Sequence, residues 1–175
     1  SRSNIWRMNS DGSNPVKLTN GDLDLTPTVT PDSRWILYQN LGLKKISIDG
    51  GEATQITSRN SGMGEVSPDG KFLSVSYLTD EKPTKYKLAI FPITGGEPVK
   101  ILNRSLEVRK WVGDSLIYAD GQGENNKLFS LSLATDRITQ LTNFGSDKIL
   151  NLAVSKDGKQ IALIRGSIIN EAVII

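Results

Sequence analysis

The sequence predicts an all-β chain built from four-stranded antiparallel units, on three observations. A set of short markers recurs in fixed order along its 175 residues. Apolar runs of strand length lie between the markers, bounded by Asp-Gly and Gly-Gly pairs that favour hairpins. No segment carries a sustained helical period. The nearest to one, "EVRKWVGDSLIYA", holds Gly113-Asp114 where the repeat demands a turn.

The first marker is an apolar residue followed by Thr at the end of an extended run: Leu18-Thr19, Ile56-Thr57 and Leu141-Thr142, with Ile101-Leu102 as a degenerate copy, spaced by 38, 45 and 40 residues. The second opens each unit: Pro31-Asp32, Pro68-Asp69, Gly113-Asp114 and Lys156-Asp157, spaced by 37, 45 and 43. The third lies between them: Asp11-Gly12, Asp49-Gly50-Gly51, Thr94-Gly95-Gly96 and Ala134-Thr135-Asp136.

Each unit reads as strands a to d. In the second full copy "GMGEVS" enters the turn "PDG", "FLSVSYL" leaves it, "YKLAIFPI" follows a longer loop, and "GG" turns into "EPVKIL". The b strands are the most apolar: Trp35–Tyr38, Phe72–Val75, Leu116–Ala119 and Ile161–Ile164. Such runs predict burial on both faces. The d strands alternate more, as in Pro15–Thr19, which suits an outer strand. Four-stranded antiparallel units of about 40 residues predict a β-propeller, in which each blade buries its faces against its neighbours. A β-sandwich of the same hairpins has no reason to repeat its sequence.

The turns have a physical reading of their own. Pro68 presets φ, Asp69 can accept hydrogen bonds from nearby N–H groups, and Gly70 takes a positive φ; Asp32, Asp157 and Gly158 hold the matching places. These residues are expected to be turn staples, not catalysts.

The cycle strand–"SPDG"–strand–"DG/GG"–"LT", clearest in Val66–Lys71 and Ile48–Glu52, resembles the TolB-like, or PD40, class of WD40-like propellers over essentially the whole chain. The third copy departs from it, since Val112-Gly113-Asp114-Ser115 lacks the Pro and the Gly after Asp. The last run, "IALIRGSIINEAVII", is similar to the C-terminal part of propellers attached to bacterial Ser/Thr kinases and transcriptional regulators. The resemblance implies protein or peptide binding, and it favours an extracytoplasmic or periplasmic setting. No signal peptide is recognised in the chain.

The predicted domain is a single partial propeller, 1–175, with a half blade at 4–25, blades at 26–57, 63–102 and 106–142, and a partial blade at 150–175. About four blades are expected, as part of a larger ring or completed by a second chain. Both ends offer a c strand, "NIWRMN" and Ala172–Ile175, so closure by four blades alone leaves one strand surplus. Open blade edges predict association, and a homodimer is one form of it.

Composition removes several chemistries. The chain has no His and no Cys, so it cannot hold a Ser-His-Asp triad, a Cys nucleophile or a zinc site of the usual kind. A net charge of +2 makes no case for nucleic acid or an anionic membrane, and no run of 18 apolar residues predicts insertion. No cofactor and no metal are expected.

Function is expected on the face where d–a and b–c loops meet, because those loops are long and polar whereas the a–b and c–d turns are short. Its candidates are Arg59 in the Ser58–Gly62 loop, and Asp120, Glu124 and Asn125 in "DGQGENN", which reads as a peptide contact, a weak oxygen site for Ca²⁺ or a solvated hairpin loop. On the inner a strands the candidates are Glu65, Arg109 and Lys110. Glu65 and Lys110 hold corresponding places; Trp111 is expected to pack between blades, with Arg109 and Lys110 either lining the channel to meet an acidic peptide or standing as solvated charges. Asp22 and Asp24 in "NGDLDL" are expected to face water. The resulting expectation is a noncatalytic interaction or sensor module. The alternative is the propeller domain of a prolyl-oligopeptidase-like hydrolase, whose catalytic residues would lie elsewhere, since no G-x-S-x-G occurs. A propeller glycosidase is weaker still, because Glu65 is the one channel acid found and that chemistry needs two.

Overall fold

The structure, a computed structural model, describes residues 2–57, 61–79, 86–103, 108–120, 127–145 and 147–167. Among them there are sixteen strands and no helix. Two compact units divide the chain, Ser1–Ser105 and Leu106–Ile175.

The first unit opens with the pair β1 (Trp6–Arg7) and β2 (Val16–Lys17). A four-stranded antiparallel sheet follows: β3 (Leu25–Val29), β4 (Trp35–Gln39), β5 (Leu43–Ser47) and β6 (Thr54–Gln55), hydrogen-bonded in that order. The next sheet repeats it with β7 (Ser61–Val66), β8 (Phe72–Leu78), β9 (Tyr86–Pro92) and β10 (Lys100–Leu102). The second unit holds a third such sheet, β11 (Arg109–Val112), β12 (Ser115–Asp120), β13 (Lys127–Ser132) and β14 (Ile138–Gln140), and the hairpin β15 (Lys148–Val154) with β16 (Ile161–Gly166). The strand expected at Ala172–Ile175 lies outside the described residues. These are the blades of a partial, all-β propeller.

Burial follows strand order. On β4, Ile36, Leu37 and Tyr38 are all buried, as the apolar run predicts; the expectation fails on β16, where Ala162 and Ile164 are exposed and the strand pairs with β15 alone among the described residues. Ile36 and Tyr38 pack with Ile46 against Ile5 and Leu18 of the first pair, while Leu37 and Leu43 pack against Leu73, Val75, Ala89 and Phe91 of the next sheet. In the second unit Ile117, Ala119 and Leu128 meet Ile149 and Leu152. Every residue of the outer strands β2, β6 and β14 is exposed, and so is every residue of β3.

Three a–b turns share one hydrogen-bond set, and its centre is the Ser or Thr two residues before Asp. Ser67 Oγ donates to Asp69 Oδ1 at 2.6 Å and accepts from Phe72 N at 2.9 Å, while Asp69 Oδ1 also accepts from Lys71 N at 3.1 Å. Thr30, Asp32, Arg34 and Trp35 repeat this, as do Ser155, Asp157, Lys159 and Gln160. The residue after Asp has positive φ in each: Ser33 at 58°, Gly70 at 71° and Gly158 at 72°. The third copy closes differently. Val112 pairs with Ser115 across a two-residue hairpin whose first central residue, Gly113, has φ 57°.

The hydroxyl donors, with the backbone N–H groups, hold the carboxyls of Asp32, Asp69 and Asp157 below the ordinary value of 3.8. A carboxyl whose folded pKa is depressed contributes stability that is fully present above its ordinary, unfolded value and is lost as pH falls through the folded pKa. Urea midpoints should therefore drop as pH is lowered from about 5 towards 3. In the triple variant Asp32→Asn, Asp69→Asn, Asp157→Asn this acid limb should be shallower, and an unchanged limb would show that other groups control it.

Candidate interaction face

The Thr of each Leu-Thr marker closes a loop of constant length. Its hydroxyl accepts a hydrogen bond from the backbone N–H of a residue fourteen positions earlier: Ile5 to Thr19 at 2.9 Å, Leu43 to Thr57 at 2.9 Å, and Leu128 to Thr142 at 3.0 Å. The hydroxyl thus takes the place of a fourth-strand carbonyl where the chain departs towards the next blade. In the degenerate copy Leu102 has no hydroxyl, and β10 itself runs on to pair Leu102 with Leu88. These Thr residues mark the face where d–a loops begin and b–c loops end.

In the first unit this face is built around Asp24, which is buried at 4% exposure instead of facing water. Its Oδ2 accepts from Thr19 Oγ1 at 2.5 Å and from Gly21 N at 3.2 Å, and its Oδ1 accepts from Asn40 Nδ2 at 2.5 Å. A d–a loop and a b–c loop are thereby joined through one carboxylate. Asn4 Nδ2 donates to the Gly21 carbonyl, and Asp24 N donates to the Ser3 carbonyl. Burial pushes the Tyr38 phenol above its ordinary value, and the negative charge of Asp24 adds to it. Asp22 does face water and pairs with Arg2 at 3.1 Å. The apolar residues beside this frame point outward: Leu23 is 59% exposed and Leu41, with φ 49°, is 71% exposed.

In the second unit Arg165 stands at the loop end of β16. Its Nη2 donates to the Phe144 carbonyl at 3.1 Å and to Asp147 Oδ2 at 3.0 Å, and its guanidinium lies 4.0 Å from the centre of the Phe144 ring.

The candidates named from sequence fall in three places. Asp32, Pro68, Asp69, Gly70, Asp157 and Gly158 lie in the a–b turns. Glu65 is half-buried on β7, opposite Ser74; Arg109 and Lys110 are half-buried on β11, opposite Tyr118 and Ile117; Asp120 ends β12 opposite Lys127. All four are engaged by neighbouring groups. Trp111 is buried. Arg59, Glu124 and Asn125 lie outside the described residues. Among the described residues no three metal-ligating side chains gather.

No family model matches the chain, and no curated protein matches it in sequence. Solved structures do. TolB from Acinetobacter baumannii aligns with a TM-score of 0.66 at 22% identity, covering 88% of this chain and 41% of that one. A TolB-type protein from Agrobacterium tumefaciens aligns with a TM-score of 0.62 at 20% identity, covering 86% and 57%. An acylaminoacyl peptidase from Pyrococcus horikoshii aligns with a TM-score of 0.71 at 13% identity, covering 93% and 31%. This chain therefore spans less than two thirds of each, and at these identities the likeness establishes the β-propeller fold alone.

Proposed function

We propose that this chain, folded as TolB-like propeller blades, is a noncatalytic module that binds a protein or peptide segment through its d–a and b–c loops and the adjoining channel mouth. One observation carries this. The Asp residues of three a–b turns are bonded to hydroxyl and N–H groups of their own turns, whereas the loop face holds exposed Leu23 and Leu41 on a frame fixed by Asp24. Exposed apolar groups on rigid loops lose little entropy when a partner covers them. Its polar contacts would come from Arg59, Asp120, Glu124 and Asn125 on the loops, and from Glu65, Arg109 and Lys110 towards the channel.

The test is selection of peptides from a random display library on the intact chain. Selected peptides should lose about tenfold or more in affinity for Leu23→Asp and Leu41→Asp. They should keep their affinity for the Asn-substituted turn triple. No enriched peptide, or loss confined to the turn variant, would overturn the proposal.

Self-association is part of the same proposal. Among the described residues β1 pairs with β2 alone and β16 with β15 alone, so each leaves a strand edge open. Light scattering across a dilution series should give twice the chain mass. A stable monomer would count against it.

A second reading, a propeller that accompanies a hydrolase domain, draws support from the likeness to the acylaminoacyl peptidase. The flanking coding sequence tests it: a hydrolase domain alongside favours it, and a kinase or winged-helix domain counts against it.

A further inference from the structure

A cavity of about 180 Å³ lies within the first unit between the sheets β3–β6 and β7–β10. Thr26, Pro27, Thr28, Leu37 and Leu43 line one wall, and Gly64 and Leu73 the other. Every lining residue is neutral, so the space offers nothing to an ion, a phosphate or a carboxylate.

The cavity borders a position where the repeat changes. Val66 opposite Leu73 matches Val154 opposite Ile161, and two residues earlier Gly64 opposite Val75 matches Leu152 opposite Leu163. Leu152 is buried at its place, where β7 carries Gly64 and no side chain. Leu73 and Val75 take up the place of that side chain, since a Cβ at Gly64 would lie 2.6 Å from Leu73 Cδ1 and 3.0 Å from Val75 Cγ1, and the cavity lies beyond them. The opposite rim is strained. Thr26 stands in a bulge of β3 with φ 50°, a conformation that a β-branched residue rarely adopts. Such outliers persist where the surrounding structure holds them, and they gather at ligand sites.

We propose that this cavity is a binding site for one uncharged apolar group of benzyl or isobutyl size. An enclosed apolar cavity of about 150 Å³ suffices for benzene, and this space has a similar volume while opening to solvent along the exposed strand β3. Recognition is by filling and not by strand pairing, because Pro27 withholds an N–H from the edge of β3. The exposed loops are not part of the lining, so the site stands apart from the interaction proposed above.

The test is methyl NMR of the intact chain with ¹³C-labelled Leu, titrated with toluene and, separately, with N-acetylphenylalanine N-methylamide. Saturable shifts are expected at Leu37, Leu43 and Leu73, and none at Leu116 or Leu131. Thr28→Trp, which blocks the rim, should weaken binding about tenfold or more. Leu43→Phe, which fills the space from its buried wall, should do the same if the rim variant folds poorly. Tighter binding of the amide identifies a residue of a peptide as the source of the group, and tighter binding of toluene identifies a free small molecule; either supports the site. Absence of saturable shifts at these three leucines overturns it, as do equal shifts at Leu116 and Leu131 that Thr28→Trp leaves unchanged.

Discussion

Replacing Asp24 with Ala is expected to cost about 3 kcal/mol of unfolding free energy, the largest loss from any single polar group in the first unit. The carboxylate is buried and accepts from a hydroxyl, a backbone N–H and a side-chain amide. Its removal leaves Gly21 N–H and Asn40 Nδ2 to find new acceptors, while Thr19 keeps its bond from Ile5 N. Asp24→Asn should fall between, since an amide can still accept from Asn40 yet presents an NH₂ where a carboxylate oxygen stood. Gly21→Ala should act through the same contacts. Its Cβ would lie 2.4 Å from Asp24 Oδ1, 2.7 Å from Oδ2 and 2.8 Å from Asn40 Nδ2, so the carboxylate would have to leave its donors. The two losses should therefore fail to add in the double variant. Urea unfolding checks all four proteins. A loss below about 1 kcal/mol for Asp24→Ala would mean that water replaces the carboxylate without penalty.

Thr57→Val is expected to cost about 2 kcal/mol, because Val keeps the shape and deletes the sole acceptor drawn on by the Leu43 N–H. Thr57 and Leu43 are both buried, so water does not readily take over. The Ser61 hydroxyl, hydrogen-bonded to Thr57 Oγ1, loses that partner as well. Thr142→Val removes the equivalent bond from Leu128 N at a half-buried site and should cost less, about 1 kcal/mol. Amide hydrogen exchange gives the local readout. Leu43 and Leu128 amides should each lose protection in their own variant. Unchanged protection of Leu43 in Thr57→Val would show that the hydroxyl is not its acceptor in solution.

Asp69 and Asp24 mark how far the local sequence could be followed. Asp69 was legible, because its partners Ser67 and Lys71 lie two residues away and Gly70 supplies the positive φ. The weight of Ser67 was less visible, since Pro and Gly draw the eye in "SPDG" while Lys156 replaces Pro in a turn with the same bonds. Asp24 was not legible. "NGDLDL" alternates acid and leucine, and the usual rule would bury the leucines. Here Leu23 is exposed and Asp24 is inside, because Asn40, sixteen residues on, closes over it.

The sequence by itself determined the blades. Strand length, apolar runs on the b strands and turn chemistry act over a few residues, and their repetition leaves little choice of architecture. Only the tertiary structure decided which acid is buried, which leucines are offered outward and where the cavity lies. Each of those depends on what another strand or loop contributes across space. Asn40 reaches Asp24 from a different loop, and the space beside Gly64 exists because Leu37, Leu43 and Leu73 come from two sheets and stop short of filling it.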